Sequence, residues 1–114
     1  MDTIIVTNKT MNILNCFKAV NAEMPVQQME TFLAVARLGK CTVAELDRFL
    51  PQQQQAIARN VRILCAVASP TREGFDLIQQ VLDPFDSRKR QLTLTDKGEL
   101  LISKLAESLE LNCD

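Results

Sequence analysis

Residues 83–98 read Asp-Pro-Phe-Asp-Ser-Arg-Lys-Arg-Gln-Leu-Thr-Leu-Thr-Asp-Lys-Gly, and they predict a strand end, a charged hairpin tip, a return strand and a helix start. Pro84 fixes its backbone φ angle, and the charged run after it is too polar to bury. Leu92 and Leu94 flank a threonine, so one face of the return strand is apolar. Thr95 is a suitable helix cap. We therefore expect a hairpin with cations near its tip, braced on a helix.

Outward from this hairpin, helical spacing and stop residues divide the rest of the chain. The sequence predicts helices over residues 8–23, 26–38, 42–50 and 52–66, and from Thr95 to about 111, strands over 75–82 and 91–95, and a very short strand at Cys41. The helix after Thr42 opens with a capping-box pattern, Thr42-Val43-Ala44-Glu45. Residues 1–7 are expected to be a loose lead-in, and residues 67–74 a loop.

Size and composition indicate one ordinary globular domain. The chain has 114 residues, of which 46% are hydrophobic and 24% charged. No apolar run approaches the roughly 18 residues of a membrane span, and no signal peptide is evident. We therefore expect a cytoplasmic protein that does not enter a membrane.

The residue inventory argues against a metal site and against catalysis. Histidine is absent, and the four cysteines are scattered without a Cys-x-x-Cys pair. Glycine occurs three times and no glycine-rich phosphate loop is present, so little remains from which to build an active site. We expect no enzyme, no cofactor and no metal, with the thiols reduced and mostly buried.

Charge is unevenly distributed although the formal net charge is only −1. Residues 52–97 hold seven lysines and arginines against five acidic residues, whereas residues 98–114 hold one lysine against four acids. A mildly basic centre is compatible with a local DNA-binding face.

The fourth predicted helix has an apolar side and a polar side without acids. At 100° per residue, one side carries Ile57, Val61, Leu64, Cys65 and Ala68, and the opposite side carries Gln52, Gln55, Arg59, Arg62 and Ala66. Glutamine pairs with adenine edges, and arginine pairs with guanine edges or phosphates. The polar side therefore favours reading of a DNA groove over a merely solvated face, and Gln54 is counted with it as a candidate contact.

Two segments resemble MarR-type winged helix-turn-helix regulators. Thr42-Val43-Ala44-Glu45-Leu46 with residues 55–64 is similar to the family's helix-turn-helix, and Asp83-Pro84-x-Asp86-x-Arg88 with Leu94-Thr95-x-Lys97-Gly98 is similar to its hairpin, called the wing, and to the helix start after it. The resemblance covers about residues 26–110. It implies a mainly α fold with a small β-hairpin (α+β), formed as a single winged-helix domain over 1–114. The helix-turn-helix and wing would span 26–95, and terminal helices over 8–24 and 96–111 would form a homodimer.

The resemblance also implies roles for individual residues in binding double-stranded DNA. Arg88 would enter a minor groove from the wing, braced by an ion pair with Asp86, while Lys89 and Arg90 would contact phosphates. The chain departs from the family pattern at Gln55 and Ala58, where serines are usual, at Pro51 in the turn, and in the longer segment from Cys65 to Gly74. These departures concern DNA preference and dimer geometry rather than the fold.

The favoured interpretation is a dimeric, sequence-specific transcription regulator that acts as a repressor. Winged helices also serve as protein–protein docking modules, an alternative that the near-neutral charge favours. A third interpretation is a redox-sensing regulator that uses Cys16, although the sequence shows no cluster of cations beside this cysteine to lower its pKa. The operator, the regulated genes and any small-molecule effector are not specified by the sequence.

Overall fold

The architecture is mainly helical with a small β component, as predicted. The structure is a computed structural model that describes residues 1–86 and 89–109. Its elements, in chain order, are α1 (Thr3–Lys18), α2 (Val26–Leu38), α3 (Val43–Phe49), α4 (Gln54–Leu64), β1 (Val67–Ser69), β2 (Arg72–Glu73), β3 (Ile78–Leu82), β4 (Arg90–Leu94) and α5 (Asp96–Ser108). The bounds predicted for the second helix are confirmed. The end predicted for the last helix, at residues 110–111, lies outside the described residues.

The wing hairpin is an antiparallel pair of β3 and β4, with Ile78 opposite Leu94 and Leu82 opposite Arg90. Cys41 extends it by one bridge, because its amide donates to the Leu92 carbonyl oxygen at 3.1 Å and the Leu92 amide donates back at 2.6 Å. The short strand predicted at Cys41 is thereby confirmed. The two wing strands themselves are shorter or shifted by one residue relative to the predicted ranges.

The predicted lead-in over residues 1–7 is wrong, because α1 begins at Thr3. The carboxylate of Asp2 accepts hydrogen bonds from the backbone amides of Ile4 at 3.0 Å and Ile5 at 3.4 Å, which satisfies two amides that have no partner within the helix. The helix also ends earlier than residue 23. The Val20 amide donates to the Phe17 carbonyl oxygen, three residues back, and the chain turns there.

The fourth helix is shorter than the predicted 52–66, since its last carbonyl groups bond to another segment. The Phe75 amide donates to the Ile63 carbonyl oxygen at 2.9 Å, and the Leu77 amide donates to the Leu64 carbonyl oxygen at 2.8 Å. Residues 75–77, predicted as strand, therefore cover the end of α4. Cys65, Ala66 and Ala68, which were assigned to helix faces, lie beyond the helix.

The loop predicted over 67–74 is instead a second hairpin. Strands β1 and β2 pair antiparallel, with Val67 opposite Glu73 and Ser69 opposite Arg72. The Gly74 amide donates to the Ala66 carbonyl oxygen at 3.0 Å. A Cβ atom at Gly74 would overlap the Cys65 carbonyl oxygen, so this close return of the chain requires glycine.

The core lies where the helix-turn-helix meets the wing sheet. The largest fully buried side chains come from α2, α3, α4, the segment before β3, β3 and β4: Phe32, Leu46, Ile57, Leu64, Leu77, Ile78 and Leu92. Helices α1 and α5 pack on each other beside this core, and the Phe17 ring meets the Phe32 ring edge to face at 6.2 Å between centroids. No helix within residues 1–86 and 89–109 has the length and apolar character needed to cross a membrane.

Candidate nucleic-acid interface

Helix α4 is held by one face and exposes the other. Ile57 and Leu64 are fully buried, and Val61 is 2% exposed. Because a helix turns 100° per residue, anchoring these positions directs Gln55, Arg59 and Arg62 outward, and all three side chains are exposed. No acidic residue occurs in α4. The outward face is therefore a row of amide and guanidinium groups open to a ligand.

The glutamines predicted to contact DNA differ in their position relative to the start of α4. Gln54, the first residue of the helix, is exposed, but Gln52 precedes the helix and is half-buried. Its Nε2 donates to the Gln27 carbonyl oxygen at 3.3 Å, and its Oε1 accepts from Nδ2 of buried Asn60 at 3.2 Å. The prediction that Gln52 shares the outward face of the helix is wrong, because it bridges the helix start to α2.

Helix α3 supports α4 through the predicted capping box. Thr42 Oγ1 accepts from the Glu45 amide at 3.1 Å, and the Thr42 amide donates to Glu45 Oε1 at 3.1 Å. These reciprocal bonds satisfy two helix-start amides at once. Leu46 is fully buried beneath them, so α3 is fixed on the core and sets the path of the chain into α4.

The wing carries its cations at its outer end. The Asp83 amide donates to the Lys89 carbonyl oxygen at 3.0 Å, which closes the tip. Lys89 and Arg90 are exposed, and Arg90 Nη1 lies 3.5 Å from Gln80 Oε1 on the neighbouring strand. Arg90 is the first residue of β4 rather than part of the tip. Arg88 lies outside the described residues, so its brace by half-buried Asp86 stays a prediction.

The exposed aromatic ring at the wing tip is a surface feature that the sequence-based interpretation did not include. Phe85 is 97% exposed, and the neighbouring strand residue Leu82 is 59% exposed. The signal was visible in the sequence, because a phenylalanine inside a turn too polar to bury has no core position to occupy.

Residues Thr95 to Gly98, which belong to the second segment that resembles the family, hold the start of α5 against the residues just before β3. Thr95 Oγ1 donates to the Asp76 carbonyl oxygen at 2.6 Å and accepts from the Gly98 amide at 3.0 Å. Lys97 Nζ donates to the Phe75 carbonyl oxygen at 2.9 Å. A Cβ at Gly98 would overlap the Leu77 carbonyl oxygen. These contacts hold the start of α5 against the residues that precede β3.

The described cysteines are free and occupy different environments. Burial, with a smaller contribution from Glu45, raises the pKa of Cys41 to about 11, and burial raises the pKa of Cys65. Cys16 is only half-buried, and its Sγ lies 3.5 Å from Ser108 Oγ. Two lysines, Lys97 and Lys104, line the same depression as Cys16, which the linear sequence did not show.

Within residues 1–86 and 89–109, no three side chains of His, Cys, Asp or Glu are grouped so as to hold a metal ion. The exposed polar groups on the outward surface of α4 are amides and guanidinium groups, and the wing exposes the cations Lys89 and Arg90 beside half-buried Asp83 and Asp86. Amide and guanidinium groups bind anions and hydrogen-bonding edges rather than cations.

Comparison with known structures identifies the fold. The chain superimposes on a cysteine-to-serine mutant of MarR from E. coli complexed with operator DNA, with a TM-score of 0.64 and 14% identity over 93% of this chain and 69% of that one. A MarR-like transcriptional regulator from Thermotoga maritima superimposes with a TM-score of 0.65 and 21% identity, over 96% of this chain and 77% of that one. Rv1404 from Mycobacterium tuberculosis superimposes with a TM-score of 0.70 and 20% identity, over 96% of this chain and 73% of that one.

These matches establish that the chain has the winged-helix fold of MarR-type regulators, as the resemblance implied. No protein-family model and no curated protein matches the sequence. At such identities the likeness concerns the fold, and the function has to be argued from the surface of this chain.

Proposed function

We propose that this protein is a transcription regulator that binds double-stranded DNA through α4 and the wing. The observation that carries the proposal is the outward face of α4, where Gln55, Arg59 and Arg62 are exposed opposite a buried anchor. An acid on this face would be repelled by phosphate, and α4 has none. The solved complex of the E. coli protein with operator DNA shows that this fold accommodates DNA.

In the proposed mechanism the two parts of the surface have different tasks. Gln55 and Arg59 hydrogen-bond to base edges in the major groove, where amide and guanidinium groups distinguish adenine and guanine. Lys89 and Arg90, with Arg88 as the sequence predicts, contact the backbone and a minor groove at the wing. Backbone contacts supply affinity and register, and base contacts supply the preference for one sequence. A chain acting in this way represses by occupying its site and needs no catalytic step.

A homodimer is part of the proposal. Helix α1 buries only Phe17, and along its length Ile4, Ile5, Val6 and Met11 are 45–70% exposed. An apolar groove of about 380 Å³ lies between α1, α2 and α5 and is lined by Ile13, Phe17, Leu33, Ile102, Leu105, Ala106 and Leu109. The radius of gyration is 15.1 Å, against about 13 Å for a compact domain of this length. A second copy covering this side would bury the exposed residues and present two copies of α4.

Besides the near-neutral net charge, the docking-module alternative has one structural observation in its favour, the exposed ring of Phe85 at the wing tip. An aromatic side chain in solvent is a common anchor of protein interfaces. Binding to duplex DNA distinguishes the two functions, because a regulator prefers some duplex sequences and a docking module has no such preference.

Selection from a random duplex pool by the full chain, at low salt and then at 150 mM salt, tests the proposal. We expect enrichment of a pseudo-palindrome whose half-site centres lie roughly 10 base pairs, or a multiple of that, apart. Failure to retain any duplex at low salt would contradict the proposal and favour protein docking.

A further inference from the structure

The second hairpin forms a basic cleft with α4. Its lining combines two arginines of α4, Arg59 and Arg62, with Arg72 of β2, and the cleft measures about 420 Å³. Ile63, Ala68 and Ser69 complete its lining. The hairpin is held in this place by the bonds from residues 74 and 75 to the chain at the end of α4. Arg72 of the hairpin therefore faces the same space as the two arginines of α4.

Among the described residues, no ion pair neutralises the three arginines of this cleft. Across residues 1–86 and 89–109, none of the three guanidinium groups makes a hydrogen bond to a side chain or lies within 4.0 Å of a carboxylate oxygen, and no acid lines the cleft. Glu73 shares a separate depression on the hairpin with Arg72, and Asp76 shares another with Arg62, so each acid lies beside the cleft and not in its lining. Like charges brought together without a counterion repel one another, so an anion in the cleft would stabilise the arrangement.

Guanidinium groups match the geometry of a phosphate especially well. The planar fork of arginine donates two parallel hydrogen bonds to a phosphate, and a phosphate diester on a duplex is the anion nearest to a helix that lies in a groove. The cleft opens beside Arg59 and Arg62, on the same exposed face of α4 that the proposed function places against DNA.

We propose that the hairpin β1–β2 is a second backbone clamp, in which Arg72 binds a DNA phosphate adjoining the groove that α4 enters. This inference rests on the proposed function. It adds a backbone contact from the hairpin that follows α4, besides the contacts proposed for the wing. Because a phosphate carries no sequence information, Arg72 strengthens binding to all duplexes and leaves the preference among them unchanged.

The test measures the affinity of Arg72→Ala for a selected duplex and for a random duplex between 50 and 300 mM salt. We expect weaker binding by the same factor on both duplexes, and a log–log salt slope that is shallower by about 0.9 for each lost contact. Ethylation of the phosphate that Arg72 contacts should weaken wild-type binding about as much as Arg72→Ala does, and should have no further effect on the variant.

Lys104→Ala is the matched control, because it removes one exposed cation from α5, away from the cleft. It should leave the slope unchanged. Arg72→Gln provides a second variant, which removes the charge but keeps a polar side chain, and thermal unfolding followed by circular dichroism verifies that both variants fold.

The outcomes separate the two proposals. Wild-type protein that binds no duplex at low salt overturns the proposed function and this inference together. Wild-type binding with an Arg72→Ala slope equal to that of Lys104→Ala overturns only the second clamp. Tighter binding by Arg72→Ala would show that the hairpin obstructs DNA, and would also overturn it.

Discussion

The side-chain amide of Asn60 donates a hydrogen bond of 3.2 Å to Oε1 of Gln52. Asn60 is 6% exposed, and Gln52 in turn donates to the Gln27 carbonyl oxygen at 3.3 Å. The chain of bonds joins the inner side of α4 to α2. It sets the position of the helix whose outer side is proposed to read DNA.

Gln52→Ala should therefore affect stability and not sequence preference. Loss of its hydrogen bonds leaves a buried amide of Asn60 without this partner, so the free energy of unfolding should fall by about 1 kcal/mol. The matched variant Gln55→Ala, on the exposed face, should change stability by less than about 0.5 kcal/mol. Urea unfolding and binding to selected and random duplexes measure both effects. A Gln52→Ala protein of unchanged stability that no longer discriminates between duplexes would assign base reading to Gln52 after all.

The apolar groove between α1, α2 and α5 should bring two copies together. Leu33 lines the groove and is 42% exposed, whereas Leu38, at the end of the same helix, is 37% exposed and lies outside the groove lining. Burying a charge at a subunit interface is unfavourable, so Leu33→Asp should shift the protein to a monomer and Leu38→Asp should not. Sedimentation at micromolar concentration measures this. A monomer mass for the unaltered protein would refute the dimer.

The wing should contribute salt-dependent affinity. Lys89 is exposed at the tip, and Arg88 precedes it in the sequence. For each phosphate contact removed by Arg88→Ala or Lys89→Ala, the log–log salt slope should flatten by about 0.9 while the dimer remains intact. Fluorescence anisotropy across a salt series gives the slope. If both variants keep the affinity and slope of the wild type, Arg88 and Lys89 do not touch DNA.

Cys41 should make the free energy of unfolding fall as the pH rises above about 9. Its pKa is raised to about 11 in the folded protein from 9.0, because burial disfavours the thiolate. The unfolded chain releases this proton at lower pH, so the contribution is complete below about pH 9 and is lost as pH rises towards 11, on the order of 2 kcal/mol. The difference between wild type and Cys41→Ala in unfolding free energy across this range measures the effect. A difference independent of pH would contradict the raised pKa.

Much of the fold was predictable because its signals are local. The capping box at Thr42, the stop at Gly39 and the alternation of Leu92 and Leu94 each depend on a few neighbouring residues, and the structure confirms the elements they predict. The buried side of α4 at Ile57 was likewise predictable from helical spacing.

The errors arose where distant residues decide the structure. The end of α4 depends on amides of residues 75 and 77, and the placement of Gln52 depends on Asn60 and α2. The hairpin β1–β2 has strands of only three and two residues, too short for a periodic pattern, while Pro70 and its neighbours signal a turn. The basic cleft of Arg72 followed from that hairpin and was therefore also missed.

Sequence reading by α4 is the central claim, and the affinity of Arg59→Ala for a selected and a random duplex tests it most directly. A lost contact to a base edge should cost about 1–3 kcal/mol on the selected duplex and much less on the random one. Gln55→Ala should behave in the same way, whereas Arg62→Ala, if Arg62 touches only phosphate, should weaken both equally. Equal losses on the two duplexes for all three variants would contradict the claim, because α4 would then hold DNA without reading it.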